Sequence, residues 1–161
     1  MPWHAAVGRL LAIGMMMAWA GAGMADAPRQ NGDYPPVVRE DNTGGPEWIR
    51  RLERPERLPG LRIDEVIAAL GLRPGMTIAD IGSGTGAFTI PFARAGAPTG
   101  TAIAVDIWPE LLNHVKQKAA REAAPTLKTL LAQRDDPLLP ERSLDIAFFH
   151  DVFHNVNDRP D

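Results

Sequence analysis

Short apolar runs alternate with amphipathic stretches along the second half of the chain. Four runs rich in apolar and β-branched residues are predicted to be strands: 76–81, 101–105, 126–132 and 144–149. Three amphipathic stretches are predicted to be helices: 64–70, 87–95 and 109–123. The last helix has four apolar residues on one face: Leu111, Leu112, Val115 and Ala119. This alternation predicts an α/β fold, in which helices flank a parallel sheet.

The first 25 residues have the pattern of a secretory signal peptide. Arg9 is the only formal charge, and an apolar run and then small residues follow it. Only 16 residues lie between Leu10 and Ala25, whereas a membrane-spanning helix needs about 20 apolar residues. We therefore expect export to the periplasm, with cleavage and no stable membrane span afterwards. The alternatives are an uncleaved anchor through residues 10–25 and a cytoplasmic protein.

Residues 26–60 are predicted to form a flexible N-terminal arm before the α/β domain at 61–161. The part at 26–45 has no apolar period and is rich in Pro, Gly, Asn and Asp. The part at 47–57 is charge-dense, with one Trp, one Ile and one Leu, and Pro55 ends any helix there. It has the pattern of a solvated surface helix, with a flap over a neighbouring pocket as the alternative.

Composition excludes several classes of function. The 161 residues carry a net charge of −3 and include no cysteine. The chain therefore has no disulfide, no thiolate metal site and no cysteine nucleophile. Mild acidity also argues against a nucleic-acid partner, because phosphate contacts need clustered Lys and Arg.

A glycine turn after the first predicted strand carries the clearest chemistry. Gly82, Gly84 and Gly86 alternate with other residues between that strand and the next helix, and glycine permits positive φ and close approach of a ligand. Asp80 stands two residues before the first glycine. A carboxylate there repels a pyrophosphate and attracts a cation. The spacing also differs from the dinucleotide fingerprint, whose last two glycines are three apart.

Acidic residues follow the next two predicted strands. Asp106 ends the second strand, and its carboxylate can accept hydrogen bonds from both hydroxyls of a ribose. Ile107 and Trp108 come next and supply an apolar wall for an adenine ring. Asp135 and Asp136 end the third strand, beside the adenine edge of such a site.

Five segments resemble motifs of the class I S-adenosylmethionine-dependent methyltransferases. The sequence at 80–86, DIGSGTG, and the preceding LRPGM at 72–76 resemble the first motif of that family. The sequence AVDI at 104–107 resembles the second-strand motif. RDDPLLP at 134–140 and SLDIAFF at 143–149 resemble the third-strand end and the fourth strand. The order and spacing of these segments make the resemblance more specific than the glycines alone.

The resemblance implies a Rossmann-like sheet and S-adenosylmethionine as cofactor. It implies that the glycines pass under the methionine part and that Asp80 lies near the ammonium group. It further implies that Asp106 binds the ribose and that Asp135 faces the adenine amino group. The predicted cofactor-binding residues are Asp80, Gly82, Ser83, Gly84, Gly86, Asp106, Ile107 and Asp135.

The methyl acceptor is not identified by the sequence. Asp151 or His154, after the fourth strand, could deprotonate an acceptor, and His150 and His154 have a spacing found in metal sites. Polar residues that merely line the cleft give the same pattern, so no catalytic residue and no metal ligand is assigned. A small molecule, a lipid and a protein side chain all stay open as acceptors.

Only four of the seven strands of the family, ordered 3-2-1-4-5-7-6, are found. We therefore expect an N-terminal fragment whose fourth strand is an exposed apolar edge carrying Ile146, Phe148 and Phe149. The competing functions are a non-catalytic cofactor-binding fragment and an NAD-dependent oxidoreductase, which Asp80 disfavours.

Overall fold

The computed structural model describes residues 45–134 and 136–152. The predicted signal peptide, the first part of the predicted arm, Asp135 and His154 lie outside the described residues. None of the helices in the described part is both long enough and apolar enough to cross a membrane.

The described chain alternates helices and strands as predicted. The elements in chain order are α1 (Gly45–Leu52), a 3-10 turn (Pro59–Leu61), α2 (Ile63–Leu70), β1 (Thr77–Ile81), α3 (Thr89–Gly96), β2 (Thr101–Asp106), α4 (Pro109–Arg121), β3 (Leu127–Leu131) and β4 (Ile146–Phe149). The four strands form one parallel sheet in the order β3-β2-β1-β4. This confirms the predicted fold class.

The register brings the carboxyl ends of the strands to one edge. Ile81 of β1 lies opposite Val105 of β2 and Phe149 of β4, and Asp106 lies opposite Leu131 of β3. The residues that follow each strand therefore meet at this edge, where open α/β sheets bind their ligands.

Local sequence explains where the helices begin and end. Gly71 ends α2 in the left-handed conformation, with φ 60°, which glycine adopts without strain. Pro109 occupies the first turn of α4, where its missing N–H loses no hydrogen bond. The apolar face predicted for α4 is confirmed, because all four of its residues are buried: Leu111, Leu112, Val115 and Ala119.

The apolar side chains of the fourth strand are less exposed than predicted. Ile146 and Phe148 are buried, and the Phe148 ring centroid lies 4.9 Å from that of Phe88 and 5.0 Å from that of Phe92. The expectation of exposed side chains is therefore wrong for these two residues, while Phe149 is half-buried. Strand side chains project from the faces of a sheet, so the edge position of β4 exposes backbone rather than these rings.

The second part of the predicted arm forms a helix that packs against the sheet domain. Helix α1 contacts α4, and Gly45 is buried against the side chain of Glu110. Trp48, Ile49 and Leu52 of α1 are half-buried. A helix within 47–57 was predicted, and the structure has one at Gly45–Leu52. It differs from the predicted solvated helix because its apolar side chains are half-buried and the helix packs on α4. The domain boundary at residue 61 stays a prediction.

Candidate functional site

The glycine turn adopts the backbone that its composition predicts. The φ angles are +73° at Gly82, +54° at Gly84 and +76° at Gly86, a region that other residues enter only with strain. The backbone N–H groups of Gly82 and Ser83 both donate to the carbonyl oxygen of Val105, at 2.8 and 3.1 Å. These bonds hold the turn over the end of β2.

Apolar side chains of the protein itself pack on the three glycines. A Cβ atom on Gly84 would lie 2.8 Å from Leu52 Cδ1, and one on Gly86 would lie 3.1 Å from Val115 Cγ2. On Gly82, a Cβ atom would overlap Val152. The glycine pattern predicted close approach by a ligand and gave no indication of these three side chains. Of the three, only the burial of Val115 was predicted, because Val115 lies on the apolar face of its helix.

Asp106 joins the glycine turn to the end of β2. The Gly84 N–H donates to its Oδ2 at 2.9 Å, and the Trp108 N–H donates to its Oδ1 at 3.0 Å. Burial raises the pKa of Asp106 to about 6, although backbone hydrogen bonds from Gly84, Trp108 and Ile107 act to lower it. A carboxylate offers about four lone-pair sites, so a ribose would share this group with the amides of the turn.

Asp80 is a second buried carboxylate at the same edge. The hydroxyl Oγ1 of Thr89, at the start of α3, donates to its Oδ2 at 2.5 Å. Burial raises the pKa of Asp80 to about 7, and the nearby charge of Asp106 adds to the rise. Among the described residues, no cationic side chain forms an ion pair with either acid. No feature of the sequence indicated that Thr89 would bind Asp80.

Two further observations concern the space beside these acids. The hydroxyl oxygen of Ser83 is buried and has no hydrogen-bond partner among the described residues, which fits a site whose donor or acceptor comes from a ligand. Ile107 remains 37 % exposed, and Leu131, opposite Asp106, remains 48 % exposed. These two residues offer apolar surface for an adenine ring. The side chain of Trp108 is buried, and its contact with an adenine ring stays a prediction.

A different set of groups surrounds the end of β4. His150 is half-buried, with its ring centroid 4.9 Å from that of Phe88. Burial lowers the pKa of His150, the positive charge of Arg57 lowers it further, and Asp151 opposes both effects. No group of three potential metal-ligating side chains occurs within residues 45–134 and 136–152.

The end of α1 is fastened to α4 and to the glycine turn by Glu53. Its Oε1 accepts hydrogen bonds from Lys118 Nζ at 2.8 Å and lies 3.4 Å from His114 Nε2. Burial acts to raise the pKa of Glu53, but bonds from Lys118, Thr85 and His114 lower it overall. Thr85 belongs to the glycine turn, so this carboxylate links three segments. No local sequence pattern indicates this role of Glu53.

A parallel sheet with a glycine turn and two acids at the ends of neighbouring strands fits a class I methyltransferase fold. A family model described as a methyltransferase domain matches residues 79–161. The chain therefore belongs to this family, the class I S-adenosylmethionine-dependent methyltransferases.

Two curated relatives share part of this sequence. Nocamycin O-methyltransferase of Saccharothrix syringae is 32 % identical over 75 residues, covering 47 % of this chain and 27 % of that protein. Protein-L-isoaspartate O-methyltransferase 1 of Arabidopsis thaliana is 47 % identical over 58 residues, covering 35 % of this chain and 25 % of that protein. The chain thus matches about a quarter of the length of each.

Solved structures show the same fold. An S-adenosylmethionine-dependent methyltransferase from Aquifex aeolicus aligns with a TM-score of 0.65 and 26 % identity, over 70 % of this chain and 60 % of that one. Magnesium protoporphyrin IX methyltransferase of Synechocystis, solved with S-adenosylhomocysteine, aligns with a TM-score of 0.56 and 24 % identity, over 69 % and 55 % of the two chains. Because the second structure is only 24 % identical, its similarity to this chain shows the fold alone.

Proposed function

We propose that this chain carries the S-adenosylmethionine-binding part of a methyltransferase. One observation carries the proposal: Asp80 and Asp106 are buried beside the glycine turn, and no described cation pairs with either. Buried charges in proteins are normally paired. S-adenosylmethionine has a sulfonium, an ammonium and a carboxylate group and no phosphate, so its net positive charge complements the two acids of this site.

Different residues contact different parts of the ligand. Asp106 accepts from the ribose hydroxyls, and Asp80 acts on the ammonium group through its charge. The turn Gly82, Ser83, Gly84 and Gly86 lies along the methionine part, with the Ser83 hydroxyl as a further partner. Ile107 packs on the adenine ring, and Asp135, outside the described residues, is proposed to face the adenine amino group.

The chain's contribution to methyl transfer is binding and alignment. The bound nucleoside supplies an activated methyl group, so the protein mainly has to orient the acceptor toward it and exclude water. The acceptor is a small molecule, a lipid or a protein side chain. The role of an NAD-dependent oxidoreductase is disfavoured, because Asp80 beside the glycine turn repels a pyrophosphate.

Calorimetric titration with S-adenosylhomocysteine and with NADH tests the proposal. We expect S-adenosylhomocysteine to bind and NADH not to bind. Asp106→Ala should weaken S-adenosylhomocysteine about 10- to 100-fold, which is the range for a hydrogen bond to a charged group. Asp64→Ala, an exposed acid on α2, is the matched control and should change nothing.

Because Asp106 also anchors the turn, thermal unfolding and Asp106→Asn accompany the alanine variant. If folded Asp106→Ala binds the nucleoside as tightly as the parent, or if NADH binds more tightly, the proposal is wrong. If the nucleoside binds but no methyl group reaches any acceptor, the chain is the non-catalytic binding fragment.

Export is a separate proposal, supported by the signal-like pattern of residues 1–25. Mass spectrometry of the protein from periplasmic and cytosolic fractions tests it. A periplasmic chain that begins near residue 26 supports export. A chain with intact Met1 in the cytosol contradicts it.

A further inference from the structure

Helix α1 covers part of the glycine turn. A Cβ atom placed on Gly84 would lie 2.8 Å from Leu52 Cδ1, whereas carbon atoms in contact are about 3.5–4.0 Å apart. A single added carbon therefore fits beside Gly84 only if Leu52 moves. Because the proposed function places the methionine part of the nucleoside along this turn, Leu52 and the nucleoside compete for the same place.

The side chain on Gly84 differs from the side chain on Gly86. Val115, which packs on Gly86, is 0 % exposed and belongs to the core, so it stays in place when a ligand binds. Leu52 is half-buried and lies on an eight-residue helix in which Gly45 alone is buried. A segment with so few buried apolar contacts opens locally at low cost. The contact on Gly84 is therefore the one that can be released.

One carboxylate fastens the end of α1 to α4. Glu53 Oε1 accepts a hydrogen bond from Lys118 Nζ at 2.8 Å and lies 3.4 Å from His114 Nε2. Glu53 directly follows Leu52, the last residue of α1, so this contact also sets where the Leu52 side chain lies. The Glu53 side chain is 32 % exposed, and ion pairs that solvent reaches are weak. The fastening can therefore open and form again.

We infer that α1 is a lid on the nucleoside site, and that it moves away so that Leu52 leaves Gly84 before the methionine part binds. Glu53 is the positioning residue that holds this lid closed in the ligand-free chain. The inference rests on the proposed function, because it needs the nucleoside at the glycine turn. A lid that competes with the ligand lowers the apparent affinity by the fraction of chains that are closed. Weakening the lid should therefore improve binding, whereas truncating a fixed wall of the site would impair it.

Binding of S-adenosylhomocysteine to the immobilised 161-residue chain, followed by surface plasmon resonance, gives the association rate and the affinity. Leu52→Ala and Glu53→Gln should each raise both quantities about fivefold, because a larger fraction of the chains is open. Leu58→Ala, at an exposed position outside α1, and Glu56→Gln, also exposed, are the matched controls and should change neither quantity.

A reversible cross-link tests whether the helix itself has to move. The chain contains no cysteine, so Glu53→Cys and Lys118→Cys together supply the only two thiols for a bifunctional methanethiosulfonate reagent. The cross-link ties the end of α1 to α4, and the affinity for S-adenosylhomocysteine should then fall at least about tenfold. Reduction of the cross-link should restore the affinity to that of the same double variant before treatment, which is the control.

Hydrogen exchange of the α1 amides in the parent chain completes the test. Saturating S-adenosylhomocysteine should speed this exchange, because the displaced helix has lost its contact with Gly84. Slower exchange, or weaker binding by Leu52→Ala, would overturn the inference, because Leu52 would then be a fixed wall of the site. Unchanged binding by the cross-linked chain would also overturn it, because rotation of the Leu52 side chain would then suffice. If the parent chain does not bind the nucleoside at all, the proposed function is wrong and the lid is excluded with it.

Discussion

Replacing Asp80 by Asn should make the ligand-free chain more stable at pH 8. The pKa of Asp80 is raised from 3.8 to about 7, so the folded chain holds this proton more tightly than the unfolded chain does. Stability from this group is therefore fully present below the unfolded value and is lost as the pH rises through about 7. Asn keeps the oxygen that accepts from Thr89 and removes the charge.

The expected gain is the difference between two opposing terms. A rise in pKa from 3.8 to about 7 corresponds to about 4 kcal/mol against the ionised form in the folded state. The new amide N–H₂ has no established acceptor, and an unpaired buried donor costs about 1–3 kcal/mol. The net increase in the free energy of unfolding at pH 8 is therefore about 2 kcal/mol.

Urea unfolding followed by tryptophan fluorescence at pH 8 and pH 5 measures this effect. At pH 5 the folded parent keeps this proton, but the unfolded chain, with a pKa of 3.8, has mostly lost it, so the pKa difference contributes only about 2 kcal/mol. The cost of the unpaired amide offsets that amount, so the gain should fall to about zero. Asp64→Asn, at an exposed site on α2, controls for loss of one negative charge and should be neutral at both values. A lower stability of Asp80→Asn at pH 8 would refute the reasoning, because it would mean that the ionised carboxylate stabilises the ligand-free fold.

The remaining predictions concern the ligand, the turn and α1. Calorimetry should show S-adenosylhomocysteine affinity falling about 25-fold from pH 7.5 to 5.5, because the bound ammonium group favours ionised Asp80, whose pKa is about 7; a flat profile contradicts this. Gly86→Ala should lower stability by about 1–3 kcal/mol, since its φ is +76° and Val115 is close, whereas Gly60→Ala, with no atom within 4 Å of the new Cβ, should be neutral. Glu53→Gln should speed hydrogen exchange of the α1 amides about fivefold, corresponding to about 1 kcal/mol. Glu56→Gln, at an exposed position, should not change these exchange rates. Equal exchange rates in the two variants would contradict the proposal that Glu53 holds α1 in place.

The sheet and its order follow from the sequence for a physical reason. Each strand is a short apolar run and each connection is a helix or a proline-rich loop, so parallel neighbours and right-handed crossovers leave few arrangements. The buried face of α4 is likewise encoded locally, by the spacing from Leu111 to Ala119. These features depend on residues that are near in sequence.

The docking of α1 depends on residues that are far apart in sequence. Glu53 and Lys118 are 65 positions apart, and neither residue type nor local spacing indicates that they meet. The same is true of Leu52, which packs on Gly84. A charge-dense segment with three apolar residues has the composition of a solvated surface, so its role at the site emerges only from tertiary packing.

Asp80 and Asp106 destabilise the ligand-free fold. Burial raises the pKa of both Asp80 and Asp106, and the two charges repel each other. Apolar residues of similar size would fill the same space at lower free energy. Proteins depart from local consistency mainly at functional sites. Since a cationic nucleoside offsets both the desolvation cost and the repulsion through its own positive charge, ligand binding and folding are coupled through the same carboxylates. The gain in stability from Asp80→Asn and the loss of nucleoside affinity should therefore occur in one variant.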